Sequence, residues 1–256
     1  MERFSDSFLS VNSEYLSDYA KKWVIDPLHQ WSRQWEYPYV FDGISKSISN
    51  TGNRRLEILD AGSGITFFPY FIKSQFGTAG VTCCDFDSAL DKTFSDTNKN
   101  TGCNIGFVHS DLRKTPFNDS FFDIIYCISV LEHTEGYKAI IDEFSRIIKP
   151  GGKLIITFDI SIDGSDNLSP EESEEFMRVL SGGFTFDKRA DISSRDQLSR
   201  PDILTTAHFA KTGRKLIPWL HPSLRRRIKS IITGKRIPSW PPPYTVYAVN
   251  LTNCLK

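Results

Sequence analysis

The stretch Leu56-Glu-Ile-Leu-Asp-Ala-Gly-Ser-Gly-Ile-Thr66 decides how this chain folds. Its apolar residues Leu56, Ile58 and Leu59 run into an acid, Asp60, and then into the small-residue turn Ala61-Gly62-Ser63-Gly64. Phe67-Phe68-Pro69 and a further apolar run follow. An apolar run, a glycine turn and a helix start predict the first strand-turn-helix of a nucleotide-binding sheet. Glycine there reaches backbone angles closed to other residues and lets a ligand approach the main chain. The helix N-terminus just beyond offers N–H groups without helical partners. Two common glycine turns do not fit. A dinucleotide turn, G-x-G-x-x-G, needs glycine where Phe67 stands, and a P-loop, G-x-x-x-x-G-K-[ST], occurs nowhere in the chain.

Working outward, Phe67 to Phe76 reads as a helix with Pro69 in its first turn, where a missing N–H costs little. Gly80-Val-Thr-Cys-Cys-Asp85 reads as a second buried strand tipped by an acid, 25 residues beyond Asp60. A carboxylate in that place accepts hydrogen bonds from ribose hydroxyls in related sheets. Phe86 follows and is placed to lie against an adenine ring, and Asp87-Ser88-Ala89 starts a helix with capping chemistry. A third strand, Ile105 to His109, is expected to bury His109 and leads into Ser110-Asp111-Leu112. After Pro116-Phe117-Asn118-Asp119-Ser120-Phe121-Phe122 comes the fourth strand, Asp123 to Ile128, whose continuous apolar run suits a central parallel strand. Ser129-Val130-Leu131-Glu132-His133 follows, then a helix over Tyr137 to Ile148 with an apolar stripe. Lys149-Pro150-Gly151-Gly152 is a stop-and-turn signal, and the fifth strand runs from Lys153 to Asp159.

Acid-x-G-x-G after the first strand, D-L, then P-F-x-D-x-x-F-D, then L-E-H and K-P-G-G stand in order at matching spacing. Together they resemble the class I S-adenosylmethionine-dependent methyltransferases, and among these the type 11 family. The resemblance covers Leu56 to Asp159, 104 of the 256 residues. It implies a Rossmann-like sheet of seven strands, mostly parallel with an antiparallel last strand, helices on both faces, and S-adenosylmethionine as cofactor. By position, it implies that Asp60, Gly62, Ser63 and Gly64 line the methionine end, that Asp85 holds the ribose, and that Phe86 flanks the adenine. It also implies that Asp111 accepts from the adenine amino group beside Leu112, and that Ser129 faces the cofactor. Thr66 departs from the family, where many relatives have a third glycine. The L-E-H histidine, His133, has a structural role at a helix start as its simpler reading.

The flanks are less regular. Residues 1–50 form an aromatic-rich helical segment, in which Trp23, Trp31 and Trp35 fall at offsets of eight and four, on one helical face. This segment packs on the core, and the resemblance adds a lid role in which Arg33 reaches an anionic group of the ligand. Pro170 to Leu180 reads as a helix, Gly183 to Lys188 as a sixth strand and Tyr244 to Leu251 as the last. The methyltransferase domain is thus expected over 51–190 and 244–256, with an atypical insertion over 191–243. Lys211 to Arg236 holds nine basic residues and no acid, which leaves 22 basic against 31 acidic residues elsewhere. A basic amphipathic helix there is either a solvated face over a core contact or a surface for an anionic substrate or lipid headgroups.

Composition narrows the rest. Hydrophobic residues make up 39% and charged residues 24%, as in soluble globular proteins. With 31 basic and 31 acidic residues no global charge argues for nucleic acid, and no interleaved base-stacking module is visible. No apolar run nears the length of a membrane span, and MERFSDSFLS lacks the regions of a signal peptide. Five cysteines with no C-x-x-C read as free thiols in a reducing, cytoplasmic setting, and no metal is expected. No N-P-P-Y-like motif of amide or base N-methylation follows the fourth strand. Methyl transfer to a small-molecule or glycan-type acceptor, on oxygen, is therefore the expected reaction, by proximity and orientation. A hydroxyl acceptor needs a base, and His133, Asp159, His208 and His221 are the candidates. The alternative is a non-catalytic module that keeps the fold and docks through its basic segment.

Overall fold

The computed structural model describes residues 1–49, 54–164, 168–188, 198, 200, 202–212 and 242–254. The acid-tipped runs become the strands of one seven-stranded sheet in the order β3-β2-β1-β4-β5-β7-β6. These strands are β1 (Glu57–Ala61), β2 (Gly80–Asp85), β3 (Gly106–His109), β4 (Phe122–Ile128), β5 (Ile148–Ser161), β6 (Phe184–Phe186) and β7 (Tyr244–Asn253). The first five are parallel, and β7 lies antiparallel between β5 and β6. The helices are α1 (Glu2–Asn12), α2 (Ser17–Ala20), α3 (Arg33–Ser49), α4 (Phe68–Gln75), α5 (Leu90–Thr101), α6 (Tyr137–Ile147), α7 (Pro170–Ser181) and α8 (Thr206–Thr212).

The apolar runs are continuous because both sheet faces are covered. On β4, Ile125 and Cys127 face one cluster with Phe144, Ile147 and Phe176, while Ile124 and Tyr126 face the other with Val40, Ile44, Phe68 and Tyr70. Alternate residues thus feed two cores, as parallel strands with helices on both sides require. The turn signal at Lys149-Pro150-Gly151-Gly152 is absorbed inside β5. Phe122 pairs with Ile148, yet Ile124 pairs with Lys153, so the extra residues leave the ladder as a bulge.

Two expectations are corrected. The three tryptophans do not share a helix: only Trp35 lies in α3. Asp26 precedes Pro27, which disfavours helical angles for Asp26, and a single 3-10 turn (Pro27–His29) separates α2 from α3. Trp23 is consequently exposed in a turn, while Trp31 is buried against Tyr244. His109 ends β3 exposed rather than buried, with Nε2 2.9 Å from the Phe86 carbonyl. β3 is an edge strand with one neighbour, so less of it is covered.

All five cysteines are free; Cys83, Cys84 and Cys127 are buried in the sheet. No helix among the described residues is long and apolar enough to cross a membrane. Most of the basic stretch, from residue 213 to its end, lies outside the described residues.

Candidate active site

The carboxyl ends of β1, β2, β4 and β5 and the antiparallel start of β7 open into one cavity of about 1210 Å³. A switch in strand direction of connection, from β1 leftward to β4 rightward, is where open α/β sheets bind ligands. The volume exceeds the roughly 300–1,000 Å³ of an ordinary ligand pocket, so there is room for two molecules. The N-terminal segment contributes Tyr19, Trp23, Gln30, Trp31, Arg33 and Tyr37 to the lining of the cavity.

The glycine turn forms the near wall. Gly62 and Ser63 donate their N–H groups to the Cys84 carbonyl at 2.8 and 3.2 Å, tying the turn to β2. Gly62 (φ 73°) and Gly64 (φ 51°) both lie in the left-handed region. A Cβ at Gly62 would meet Val130 Cγ2 at 2.6 Å, and one at Gly64 would meet the Tyr19 hydroxyl at 2.5 Å. Gly62→Ala is therefore expected to cost about 1–3 kcal/mol by crowding and to weaken cofactor binding, measured by urea denaturation and calorimetry.

Acids from successive strands line this end. Asp85 uses one lone pair of each oxygen: Oδ2 accepts from Gly64 N–H at 2.8 Å and Oδ1 from Asp87 N–H at 3.0 Å. Each oxygen keeps a further acceptor site for a ligand hydroxyl. Asp60 is buried and accepts from the Tyr126 hydroxyl at 2.9 Å. Burial pushes its carboxyl up to about 8, the charge of Asp85 adds to this, and the Tyr126 bond opposes it. Phe86 is 75% exposed, and it and Leu112 both line the cavity. Asp111 also lines the cavity, but Arg113 clasps it through Nε and Nη2 at 2.6–3.0 Å and through its backbone N–H at 2.9 Å. That clasp, chiefly its side-chain hydrogen bonds, holds the Asp111 carboxyl below its usual range. An adenine amino group would have to share Asp111 with Arg113, a residue that sequence reasoning passed over.

Behind two lining residues, Arg33 and Ser129, stands a carboxylate that no motif announces. Glu36, on α3, is fully buried. Its Oε1 accepts from the Ser129 hydroxyl at 2.8 Å and the Thr157 hydroxyl at 2.5 Å, so one helix residue spans the tips of β4 and β5. Arg33, one turn earlier, pairs with Glu36 and donates to Ser129 Oγ at 2.7 Å. Burial alone would lower the Arg33 guanidinium; the Glu36 charge outweighs it and holds it above its ordinary value. Ser129 itself sits at φ 47°, a left-handed angle costly for a serine. Polar i,i+3 pairs on a helix are ordinarily solvated, which is why the Arg33-Glu36 spacing carried no signal.

Next along the sheet lies Asp159, on β5. It lines the cavity yet is only 9% exposed, and its Oδ1 has no hydrogen-bond partner among the described residues. Its backbone N–H donates to Oε1 of the L-E-H glutamate, Glu132, at 2.9 Å. Glu132 Oε2 is likewise buried, with no hydrogen-bond partner among the described residues. Burial first, and then the Glu36 charge, raises the Asp159 carboxyl to about 7, against the pull of Arg33. Glu132 is pushed well above its ordinary range by burial and by Asp159.

The other candidate bases separate. His133 ends a 3-10 turn (Leu131–His133) and lines the cavity mouth. His208, on α8, does not line the cavity; its ring meets Phe209 edge-on at 5.8 Å. His221 lies outside the described residues. Among the described residues no group of three or more histidines, cysteines, aspartates or glutamates is arranged to hold a metal ion.

This strand order, with β7 antiparallel and acids at the tips of β1 and β2, is that of the class I S-adenosylmethionine-dependent methyltransferases. Residues 59–156 match the family model described as a methyltransferase domain, type 11. The chain is 32% identical over 107 residues to a sterol 4-C-methyltransferase of Caenorhabditis elegans, 41% of this chain and 31% of that protein. It is 28% identical over 158 residues to a ubiquinone/menaquinone biosynthesis C-methyltransferase of Pseudomonas fluorescens, 60% of this chain and 57% of that one. The matches thus span between about a third and just over half of the length of these curated relatives. The crystal structure of the 4+2 cyclase SpnF superposes with a TM-score of 0.61 at 15% identity, over 98% of this chain and 96% of that one, a likeness of fold.

Proposed function

We propose that this protein transfers a methyl group from S-adenosylmethionine to an oxygen of a small-molecule or glycan-type acceptor, with Asp159 as the base. One observation carries the reading: a single cavity runs from the acids at the tips of β1 and β2 to a buried carboxyl on β5 whose Oδ1 has no hydrogen-bond partner among the described residues. Asp85 takes the ribose hydroxyls, Gly62, Ser63 and Gly64 give the methionine end a close main-chain wall, and Asp60 offers that end a hydrogen-bonding carboxyl. Phe86 and Leu112 flank the adenine, with Asp111 at its amino edge. Ser129 and Arg33 stand where the cofactor meets the acceptor, and Arg33 is suited to a carboxylate.

When bound, S-adenosylmethionine supplies a methyl carbon already activated by its sulfonium. The chain's residues must then align an acceptor and remove its proton. Asp159 accepts the acceptor's hydroxyl proton, which leaves the oxygen's electron pair for the new carbon–oxygen bond. A base near neutral suits this task best, and burial brings Asp159 into that range.

Calorimetric titration with S-adenosylhomocysteine tests the cofactor assignment, and absence of binding would reject it. Asp85→Ala is expected to weaken that binding by about 1–3 kcal/mol through lost charge-assisted hydrogen bonds. Equal affinity in the variant would remove the ribose assignment. The two curated relatives are named as C-methyltransferases, which favours carbon as a second reading of the acceptor atom. Product analysis with an isotopically labelled methyl group separates the two: an oxygen ether or ester supports the first, a new carbon–carbon bond the second.

A further inference from the structure

We infer that the β5–β7 corner of the cavity binds a planar, weakly acidic hydroxyl compound, a phenol or an enol, with its ring against Trp31 and Tyr244 and its O–H directed at Asp159. This deepens the proposed function and rests on the cofactor occupying the β2–β1–β4 end. The sheet order sets the room available. From Asp85 on β2 to Tyr244 on β7 there are four strand spacings, about 19 Å at ~4.8 Å each. The acids suited to the cofactor occupy the first part of that span, and the corner beyond Ser129 is left for a second molecule.

The register assembles the corner. Asp159 pairs with Val246, and Ser161 with Tyr244. Opposed residues share a sheet face, and so do residues two apart along a strand. Asp159 and Tyr244 therefore stand on the same face as diagonal neighbours. Trp31 packs on Tyr244, with Phe209 and Val246 behind them. Both aromatic residues are at least nine-tenths buried, yet both line the cavity. Pro242 completes this wall.

A nearly buried carboxylate oxygen without a donor is costly, and a ligand O–H or N–H directed at it relieves that cost. Three kinds of donor are at issue. An ammonium group is disfavoured because the Arg33 guanidinium acts on the same carboxylate. A sugar brings several hydroxyls, whereas this wall of Trp31, Tyr244 and Pro242 is mostly ring surface. A sugar hydroxyl is also far too weak an acid for a carboxyl poised near neutral. A phenol, at about 10, lies within a few units of the Asp159 carboxyl, and its flat ring matches the aromatic wall. The groups facing Asp159 are Glu36 and Arg33 from α3 and Glu132 from the turn after β4.

The test uses the whole chain saturated with S-adenosylhomocysteine and titrates phenol against cyclohexanol, which is of similar size, by tryptophan fluorescence. Phenol is expected to bind about tenfold more tightly, a gap of about 1.4 kcal/mol. Its affinity should rise with pH through about 7, where Asp159 ionises. In Asp159→Asn the pH dependence should vanish, and in Tyr244→Leu or Trp31→Phe the gap should narrow while S-adenosylhomocysteine still binds. Equal affinity for the two probes, or tighter binding of cyclohexanol, overturns the inference. An unaltered pH dependence in Asp159→Asn does so as well. Failure of S-adenosylhomocysteine itself to bind would instead strike the cofactor assignment.

Discussion

Asp159→Asn is expected to lower the rate of methyl transfer by about 10²–10⁴-fold, the usual worth of a positioned general base, while affinity for S-adenosylhomocysteine is retained. The substitution keeps size and shape but removes the proton acceptor. In the wild-type protein kcat/KM should rise with pH and level off above about 7. The variant should lose that limb. The same change has a signed effect on stability. The Asp159 carboxyl is raised from 3.8 to about 7, chiefly by burial. The folded state therefore holds a proton that the unfolded chain releases. This contribution to stability is complete below the unfolded value and is lost as pH rises through the folded one. Asn at this position carries no such dependence, so the variant should melt higher than wild type at pH 8, with the difference shrinking toward pH 4. A variant that is both inactive and stabilised at alkaline pH would mark Asp159 as a residue held for chemistry. A variant with wild-type turnover would end the proposed role.

Glu36→Ala is expected to be the most destabilising single change in the site, by about 3–5 kcal/mol, because it strands a guanidinium that is only 19% exposed. For a chain of this size that corresponds to a fall in Tm of about 6–20 °C, readable by circular dichroism. Three bonds go at once: the ion pair with Arg33 and the hydrogen bonds from Ser129 and Thr157. Ser129 would also lose a partner that holds it at φ 47°, an angle that persists only where its surroundings over-determine it. Glu36→Gln keeps the two hydroxyl bonds but not the charge, so it should fall between wild type and Glu36→Ala. Removing both charges, as in Arg33→Met with Glu36→Met, should restore much of the stability. If Glu36→Ala melts within a degree or two of wild type, the bridge between α3 and the strand tips is not what holds the N-terminal segment down.

The sequence was sufficient for the strands and the glycine turn, which depend on local pattern. Continuous apolar runs at β1, β2, β4 and β5 implied strands covered on both faces, because a one-sided strand must alternate. The acids at Asp60 and Asp85 and the turn at Gly62 and Gly64 were legible because a tight strand-to-helix turn admits few residues. The order of those motifs pointed to the methyltransferase family whose model matches residues 59–156, and the expected seven-stranded sheet is the one observed.

What the tertiary structure alone decided are the relations between residues far apart in the chain. Glu36 and Thr157 are 121 positions apart and share a hydrogen bond; nothing local to either predicts it. Trp23 and Trp31 have helical spacing, but the break at Pro27 falls between them, and Trp31 turned to Tyr244 on the last strand. Asp159 could be proposed as a base from its place at a strand end, as could three histidines. Burial beside Glu36, without a hydrogen-bond donor on Oδ1, sets it apart from them. Periodicity records which face a residue turns inward. The electrostatics of a buried carboxyl depend on which distant groups the fold brings against it, and that is decided only when the sheet closes under α3.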